Sequence, residues 1–350
     1  MLPHILPKEK VGEFVGFLLA DSQVVAPMAK GQQFAFAQVC GKEDVAKIRL
    51  DYDITILPPK KYFLPSYEKL LEFTSREPGG VTPTVSGGPL VMLGVHPYDL
   101  HGLATLDAAM RTEPADANYI ARASAAKIIG LNIDHYINDK QFMADMRTTD
   151  VPDGMCDLFL TDLGNCFYAE AITHEGEDMM KYSGCFSPAS PGNHKSKQDY
   201  DEQKAANFTK RLPYNTRYLP ELLDASYDSL LWDALARRCF SCGTCTNVCP
   251  TCYCFDVQDK LNMDATSGTR QRMWDSCQLK VFAEVAGGEN FREHRSSRLR
   301  HRVFRKGKYV NERTGRLGCV GCGRCIVHCV ANISILEAFQ QIADQAQTEA

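Results

Sequence analysis

The chain has 350 residues, with 39 Lys and Arg against 43 Asp and Glu and a formal net charge of −4. At 44% hydrophobic and 23% charged residues it has the composition of an ordinary globular protein, and it is long enough for about two domains, since single cores stop growing near ~250–300 residues. The global charge gives no sign of nucleic-acid binding, no run approaches the ~20 apolar residues of a membrane span, and the start Met1-Leu-Pro-His-Ile-Leu-Pro-Lys lacks the pattern of an export signal. With fifteen cysteines and no such signal, the expectation is a cytoplasmic protein whose cysteines are metal ligands in a reducing compartment.

The N-terminal segment reads as an α/β unit. Val11 to Ala20 has helical apolar spacing, while Val24 to Met28 and Phe34 to Cys40 look like short strands. Pro58-Pro59-Lys60-Lys61 breaks the pattern, and Tyr67 to Phe73 resumes it as a short helix. The stretch from Glu77 to Gly88 is a loop or hairpin connection by composition. Pro89 to Val95 is a buried strand ending at His96-Pro97-Tyr98-Asp99, and Leu100 to Met110 follows as a helix. Ala126 to Ile133, Asp157 to Leu160 and Phe167 to Ile172 supply further strands, and their alternation with helices favours a mixed α/β sheet. From Ser183 to Lys210 the chain is polar and reads as a long surface connection, after which a helix from Tyr227 to Arg238 leads into the first cysteine run.

Eight cysteines fall into two runs of identical spacing, Cys239-x2-Cys242-x2-Cys245-x3-Cys249-Pro250 and Cys319-x2-Cys322-x2-Cys325-x3-Cys329. Three thiolates two residues apart can curl round one cubane, and the fourth, behind a longer spacer, reaches the other cluster. By this crossed logic Cys239, Cys242, Cys245 and Cys329 hold one [4Fe-4S] cluster, and Cys319, Cys322, Cys325 and Cys249 hold the other. Zinc is the alternative, but a zinc ribbon uses two separated Cys-x2-Cys pairs and has no place for a third cysteine at the same tight spacing.

Each cysteine of the second run lies 80 positions after its counterpart, whereas compact two-cluster ferredoxins are little more than the repeat. Residues 250–318 are therefore an insertion, holding Cys252, Cys254, Cys277 and a basic run from Arg292 to Lys308. That run could offset the negative clusters or receive an acidic partner, form a solvated face, or bind phosphate, although it has few aromatics for base stacking. Cys252 and Cys254 read as packing beside the cluster, Cys277 as a small buried hydrophobe, and Cys156, Cys166 and Cys185 lack cluster spacing. His328 could donate a hydrogen bond that tunes the cluster or lie at the surface; His96 and His101, without a carboxylate or cysteine at ligand spacing, read as structural. Gly318, Gly321 and Gly323 belong to the cluster loop, where small residues let N–H groups approach sulfur. The chain has no dinucleotide-binding glycine motif, Walker loop, haem motif or nucleophile elbow.

These residues carry a family resemblance. Cys-Gly-Thr-Cys-Thr-Asn-Val-Cys-Pro-Thr-Cys-Tyr-Cys-Phe-Asp at 242–256, Arg272-Met-Trp-Asp-Ser-Cys277, Ala286-Gly-Gly-Glu-Asn-Phe-Arg292 and Gly318-Cys-Val-Gly-Cys-Gly-Arg-Cys325 resemble the beta subunit of sulfhydrogenases and the corresponding iron–sulfur subunit of anaerobic sulfite reductase. Pro58 to Pro65, Gly94 to Leu100 and Asp157 to Gly164 extend the match into the N-terminal half. The resemblance implies an anaerobic electron-transfer subunit between a flavoprotein subunit, which handles a nicotinamide or similar carrier, and a separate catalytic or electron-accepting subunit. Family members often carry further cysteines where this chain has Tyr98, just after the strand at Ile133, and around Gln141-Phe142-Met143, which could hold a third cluster. None of these residues is a thiol here, so that site is expected to be empty. Val330 stands where a proline is usual, which affects the local turn more than ligation.

The resulting expectation is an α/β (mixed α+β) docking domain over 1–225, followed over 226–350 by a bacterial-ferredoxin-like two-[4Fe-4S] domain with a long insertion between its cysteine runs. Its function would be to relay single electrons within a cytoplasmic oxidoreductase complex, with no catalytic residue, nucleic acid or membrane span of its own. The alternative is a reductase whose N-terminal domain binds substrate or flavin and is fed by the clusters; a third reading is a structural iron–sulfur protein that binds nucleic acid through the basic run.

Overall fold

A computed structural model describes residues 2–76 and 78–348; Glu77, at the start of the expected hairpin connection, lies outside them. The strands, in chain order, are β1 (His4–Pro7), β2 (Gln23–Lys30), β3 (Gln33–Val39), β4 (Tyr67–Thr74), β5 (Val81–Pro83), β6 (Leu90–Val95), β7 (Ala126–Leu131), β8 (Leu158–Asp162), β9 (Cys166–Ala171), β10 (Ser187–Pro188), β11 (Phe255–Leu261) and β12 (Ser267–Trp274). Eight of them form one sheet in the order β10-β1-β9-β8-β7-β6-β2-β3. Its centre, β8-β7-β6-β2, is parallel, and both margins are antiparallel. Parallel strands are covered on both faces and so read as continuous apolar runs; every residue of Leu90–Val95 is buried.

The chain leaves β6 through His96 and enters the helix Pro97–Met110, where proline occupies the first turn, the one place its missing N–H costs nothing. This helix is buried on nearly all sides because the sheet lies on one flank and the cysteine-bearing loops on the other. Gly102 makes the second contact possible: a Cβ there would come within 2.6 Å of the Pro250 Cβ.

Two expected elements differ in the structure. Tyr67 to Phe73 is strand β4, because β12 and β5 pair with it from either side in a second sheet of order β11-β12-β4-β5. Tertiary pairing overrides the local helical spacing. Glu68 is buried on this strand and is held by Arg122 and Arg272, and Arg272 also reaches Asp116. The polar segment read as a surface connection contains the helix Pro191–Asn207. Ser190 and Asn193 form a capping box, Pro191 starts the first turn, and Lys195–Asp199, Lys197–Asp201 and Gln198–Glu202 pair at i,i+4, so the helix is stabilised locally without an apolar face.

The second sheet joins β4 and β5, before residue 225, to β11 and β12, after it. A second core forms where the helix Leu231–Arg238 packs on the helix Arg295–Phe304, with Trp232, Leu235, Leu299, Val303 and Phe304 closing against Phe339 and Ile342 of the helix Ile335–Thr348. No helix among the described residues is long and apolar enough to cross a membrane.

Arg324, inside the second cysteine run, ties this part to the large sheet. Its guanidinium donates to both Asp99 carboxylate oxygens at 2.6 and 2.7 Å, to Thr55 O at 2.8 Å and to Thr55 Oγ1 at 3.0 Å, with both ion-pair side chains fully buried. Removing one member of such a pair strands the other charge in the interior, at a cost of about 3–5 kcal/mol. Arg324→Met is expected to lower unfolding stability by that amount in denaturant titration, and the double variant Asp99→Leu/Arg324→Met to recover part of the loss.

Candidate metal centres

The two cysteine runs fold alike. In each Cys-x2-Cys turn the residue before the second cysteine is left-handed, Ser241 at φ 55° and Gly321 at φ 69°. This curls the backbone so that Ser241 N–H donates to Cys239 Sγ at 3.3 Å and Gly321 N–H to Cys319 Sγ at 3.4 Å. Gly243 and Gly323, at φ 78° and 75°, then start the short helices Thr244–Asn247 and Arg324–Val327, which carry Cys245 and Cys325. Ile333 N–H donates to Cys329 Sγ at 3.3 Å. Gly321 has a second constraint: its carbonyl accepts from Phe142 N–H at 2.9 Å, and a Cβ would sit 2.6 Å from Phe142 O.

The sulfurs gather round two adjacent cavities. One is lined by Cys239, Cys242, Cys245, Cys325 and Cys329, the other by Cys249, Cys319, Cys322 and Cys325. Each cavity therefore receives the first three cysteines of one run and the fourth of the other, with Cys325 in both walls. Among the described residues no three His, Cys, Asp or Glu side chains converge as ligands of one metal ion; a cubane instead seats each thiolate on its own iron.

The electrostatics match a negative cofactor. Arg298, Arg302 and Lys306 are buried at four-residue intervals along the helix Arg295–Phe304 and the turn that continues it. Arg302 lines both cavities. Burial works against its charge, but the thiols of Cys245, Cys325, Cys252 and Cys249 hold the guanidinium above its usual range, and its Nε has no hydrogen-bond partner. Lys306 donates to Thr251 Oγ1 at 2.6 Å; burial again opposes its charge, and the Cys249 and Cys252 thiols outweigh it. Lys60, from the Pro58-Pro-Lys-Lys segment, lies beneath the same loop, donating to Cys252 O at 2.8 Å with its ammonium 4.4 Å from the Trp274 ring centroid.

The thiols respond to burial and to these cations. Burial pushes Cys245 up to about 11 and Cys322 up to about 12, against the opposing pull of Arg302 and Arg324 respectively. Cys249 is held well below the ordinary thiol value, first by a hydrogen bond from Cys252 and then by Lys306. Cys252 is thus a buried partner of Cys249, and Cys254 and Cys277 form a second hydrogen-bonded pair beside it. Gathered thiols, N–H groups aimed at sulfur and buried cations facing thiols without a carboxylate between them are what an anionic iron–sulfur cofactor needs.

Other sequence-selected residues fall elsewhere. Cys156 and Cys185 lie in the core of the large sheet, and Cys166 is buried on β9. His96 is buried between Tyr52 and Tyr98 with both ring nitrogens unpartnered, and His101 Nε2 meets Asp150 O at 2.9 Å. His328 is half-buried, which lowers its pKa. Tyr98, Ile133 and Met143 meet in one apolar cluster with Val320 and Cys322, and Gln141 is fully buried. The basic run is largely consumed internally: Arg295 donates to Cys239 O, Arg298 to Gln278 O and Ser241 Oγ, and Arg300 to Tyr227 O.

The 4Fe-4S dicluster domain family matches residues 238–333. Sulfhydrogenase 2 subunit beta from Pyrococcus furiosus is 32% identical over 342 residues, covering 97% of this chain and 98% of that protein. The chain belongs to the sulfhydrogenase beta subunit family. A chain of the F420-reducing [NiFe] hydrogenase complex from Methanosarcina barkeri aligns at 11% identity and a TM-score of 0.35 over 59% of this chain and 89% of that one, too slight a likeness to relate the folds. As a family member with this domain, the protein carries two [4Fe-4S] clusters, each of which takes up and releases one electron at a time.

Sequence reasoning found the eight cysteines and offered cluster electrostatics as one role of the basic run Arg292 to Lys308, without singling out Arg298, Arg302 and Lys306 as the buried members. The four-residue spacing of Arg298, Arg302 and Lys306 was a legible signal of one helix face; Lys60 was marked only as part of the Pro58 to Pro65 motif, and Ser241 carried no signal. Two outcomes follow. Gly321→Ala should cost the second site its iron, with content falling from roughly eight to roughly four atoms per chain by metal analysis. Arg302→Met should lower the potentials of both clusters, since each reduced cluster loses a nearby positive charge. At an effective dielectric of ~20 and about 7 Å one charge is worth ~2 kcal/mol, or ~100 mV for one electron, readable by potentiometric spin-resonance titration.

Proposed function

We propose that this subunit relays single electrons between a flavoprotein subunit and a catalytic or electron-accepting subunit of an oxidoreductase complex. One cluster is held by Cys239, Cys242, Cys245 and Cys329, and the other by Cys319, Cys322, Cys325 and Cys249. The observation that carries the reading is the pair of adjacent cavities that divide the cysteines in this crossed way and share Cys325 and Arg302 as a common wall. Two one-electron centres side by side make a conduit, and the buried cations between them offset the charge each gains on reduction. The sheet-bearing part, residues 1–225, acts as docking scaffold, and residues 226–350 as the cluster module. Tyr98, Ile133 and Met143 pack in one apolar cluster with Val320 and Cys322, which supports the reading that the place where the family resemblance implies further cysteines holds no third cluster. That the named relative is a subunit of a sulfhydrogenase supports a hydrogenase-type complex as the setting.

The test is anaerobic purification with native partners, metal and sulfide analysis, and spin resonance of the dithionite-reduced protein. About eight irons per chain, two interacting reduced cubanes and a co-purifying flavoprotein are expected. About twelve irons would overturn the two-cluster assignment, zinc in place of iron would overturn electron transfer, and flavin bound to the isolated chain would make it a reductase.

A further inference from the structure

The second cavity has a cationic approach from outside that the relay does not explain. A surface groove beside Cys319 is lined by His101, Arg147, Arg217 and Arg316. The three arginines come from separate segments: Arg147 follows the short helix Met143–Met146 in a left-handed conformation at φ 56°, Arg217 lies in the turn Thr216–Tyr218, and Arg316 follows the helix Val310–Thr314. Arg147 and Arg217 are exposed and Arg316 half-buried. Among the described residues none of the three pairs with a carboxylate. Arg147 donates to Asn215 Oδ1 at 2.8 Å, and the Arg217 guanidinium lies 4.4 Å from the Tyr218 ring centroid. Nearby acids are otherwise engaged: Asp150 by Lys204 at 2.8 Å, and Asp224 and Glu312 by Lys308.

The first cavity has a more apolar lining. Its lining includes the buried Arg302, and its outer wall carries Phe240 and Val330, 71% and 75% exposed, while Arg295 and Arg298 adjoin it by donating to Cys239 O and Ser241 Oγ. The chain as a whole has a net charge of −4, so three unpaired arginines beside a cluster cysteine run against its global balance.

We infer that the groove beside Cys319 docks an acidic electron-carrier protein, so that the second cluster is the one that exchanges electrons with a mobile partner. This rests on the relay reading. Small transient redox contacts draw speed and orientation from complementary charge more than from buried apolar area. The groove is not built for a small anion: its buried hydroxyls are already committed, Thr148 Oγ1 to Val320 O at 2.7 Å and Thr105 Oγ1 to His101 O at 3.0 Å, which leaves mainly flexible arginine heads suited to a broad acidic surface.

The experiment is anaerobic stopped-flow electron exchange between the cluster-loaded full chain and an acidic two-cluster ferredoxin, with a small neutral quinone as the control acceptor. The second-order rate with ferredoxin should fall roughly tenfold or more as salt rises towards ~0.5 M, and roughly tenfold in Arg147→Ser/Arg217→Ser/Arg316→Ser at low salt. The corresponding triple lysine variant should keep the wild-type rate, and iron content, reduced-cluster spectra and quinone rates should not change. A ferredoxin rate indifferent to salt and to the serine substitutions overturns the docking site. So does inhibition by millimolar inorganic phosphate at constant ionic strength, which marks a small-anion site. A wild-type protein that exchanges electrons with neither ferredoxin nor quinone defeats the relay reading instead. If the serine variant loses iron, the salt and phosphate series on the wild type decide.

Discussion

Buried positive charge facing buried sulfur is the constraint round which this molecule is arranged. Arg302 and Lys306 lie in the interior with thiols as their counter-charges. An unpaired interior cation is among the costliest features a protein can carry, so the arrangement is stable only when the sulfurs are thiolates. Thiols buried as Cys245 and Cys322 are resist ionisation, and iron supplies the reason to ionise them. The insertion between the cysteine runs brings the buried Arg298, Arg302 and Lys306 to the cysteine loops and also carries the hairpin β11–β12.

The same constraint explains why the cluster-bearing part is no free-standing ferredoxin. Its loops are held from the side by the large sheet: Arg324 reaches into Asp99 and Thr55, Pro250 sits on Gly102, Phe142 N–H closes on Gly321 O, and Lys60 supports Cys252 O. The hairpin β11–β12, from the insertion, completes a sheet begun by β4 and β5. Motifs that looked like family signatures of unknown purpose, Pro58 to Pro65 and Gly94 to Leu100, are the points where the N-terminal part grips the cysteine loops.

Apolar packing sets the polarity around the second cluster. Tyr98, Ile133 and Met143 close against Val320 and Cys322, which keeps water from that side and leaves the groove at Cys319 as a polar approach. The first cavity opens through Phe240 and Val330 instead.

The cysteine spacing determined the number and kind of cofactors, because reach along a chain is a local property and three thiols two residues apart close on a cube wherever they are placed. Apolar runs such as Leu90–Val95 likewise declared a buried sheet. The capping box and i,i+4 pairs of Pro191–Asn207 were written in the sequence too, but its polarity disguised them as a connection. Only the tertiary structure decided that Tyr67–Thr74 is a strand, that Glu68 is buried with two arginines, that Ser241 takes a glycine's conformation, and that Arg324 belongs to Asp99, 225 residues earlier. Each of these depends on a neighbour distant along the chain, and no local periodicity encodes which distant charge or strand edge will arrive beside it.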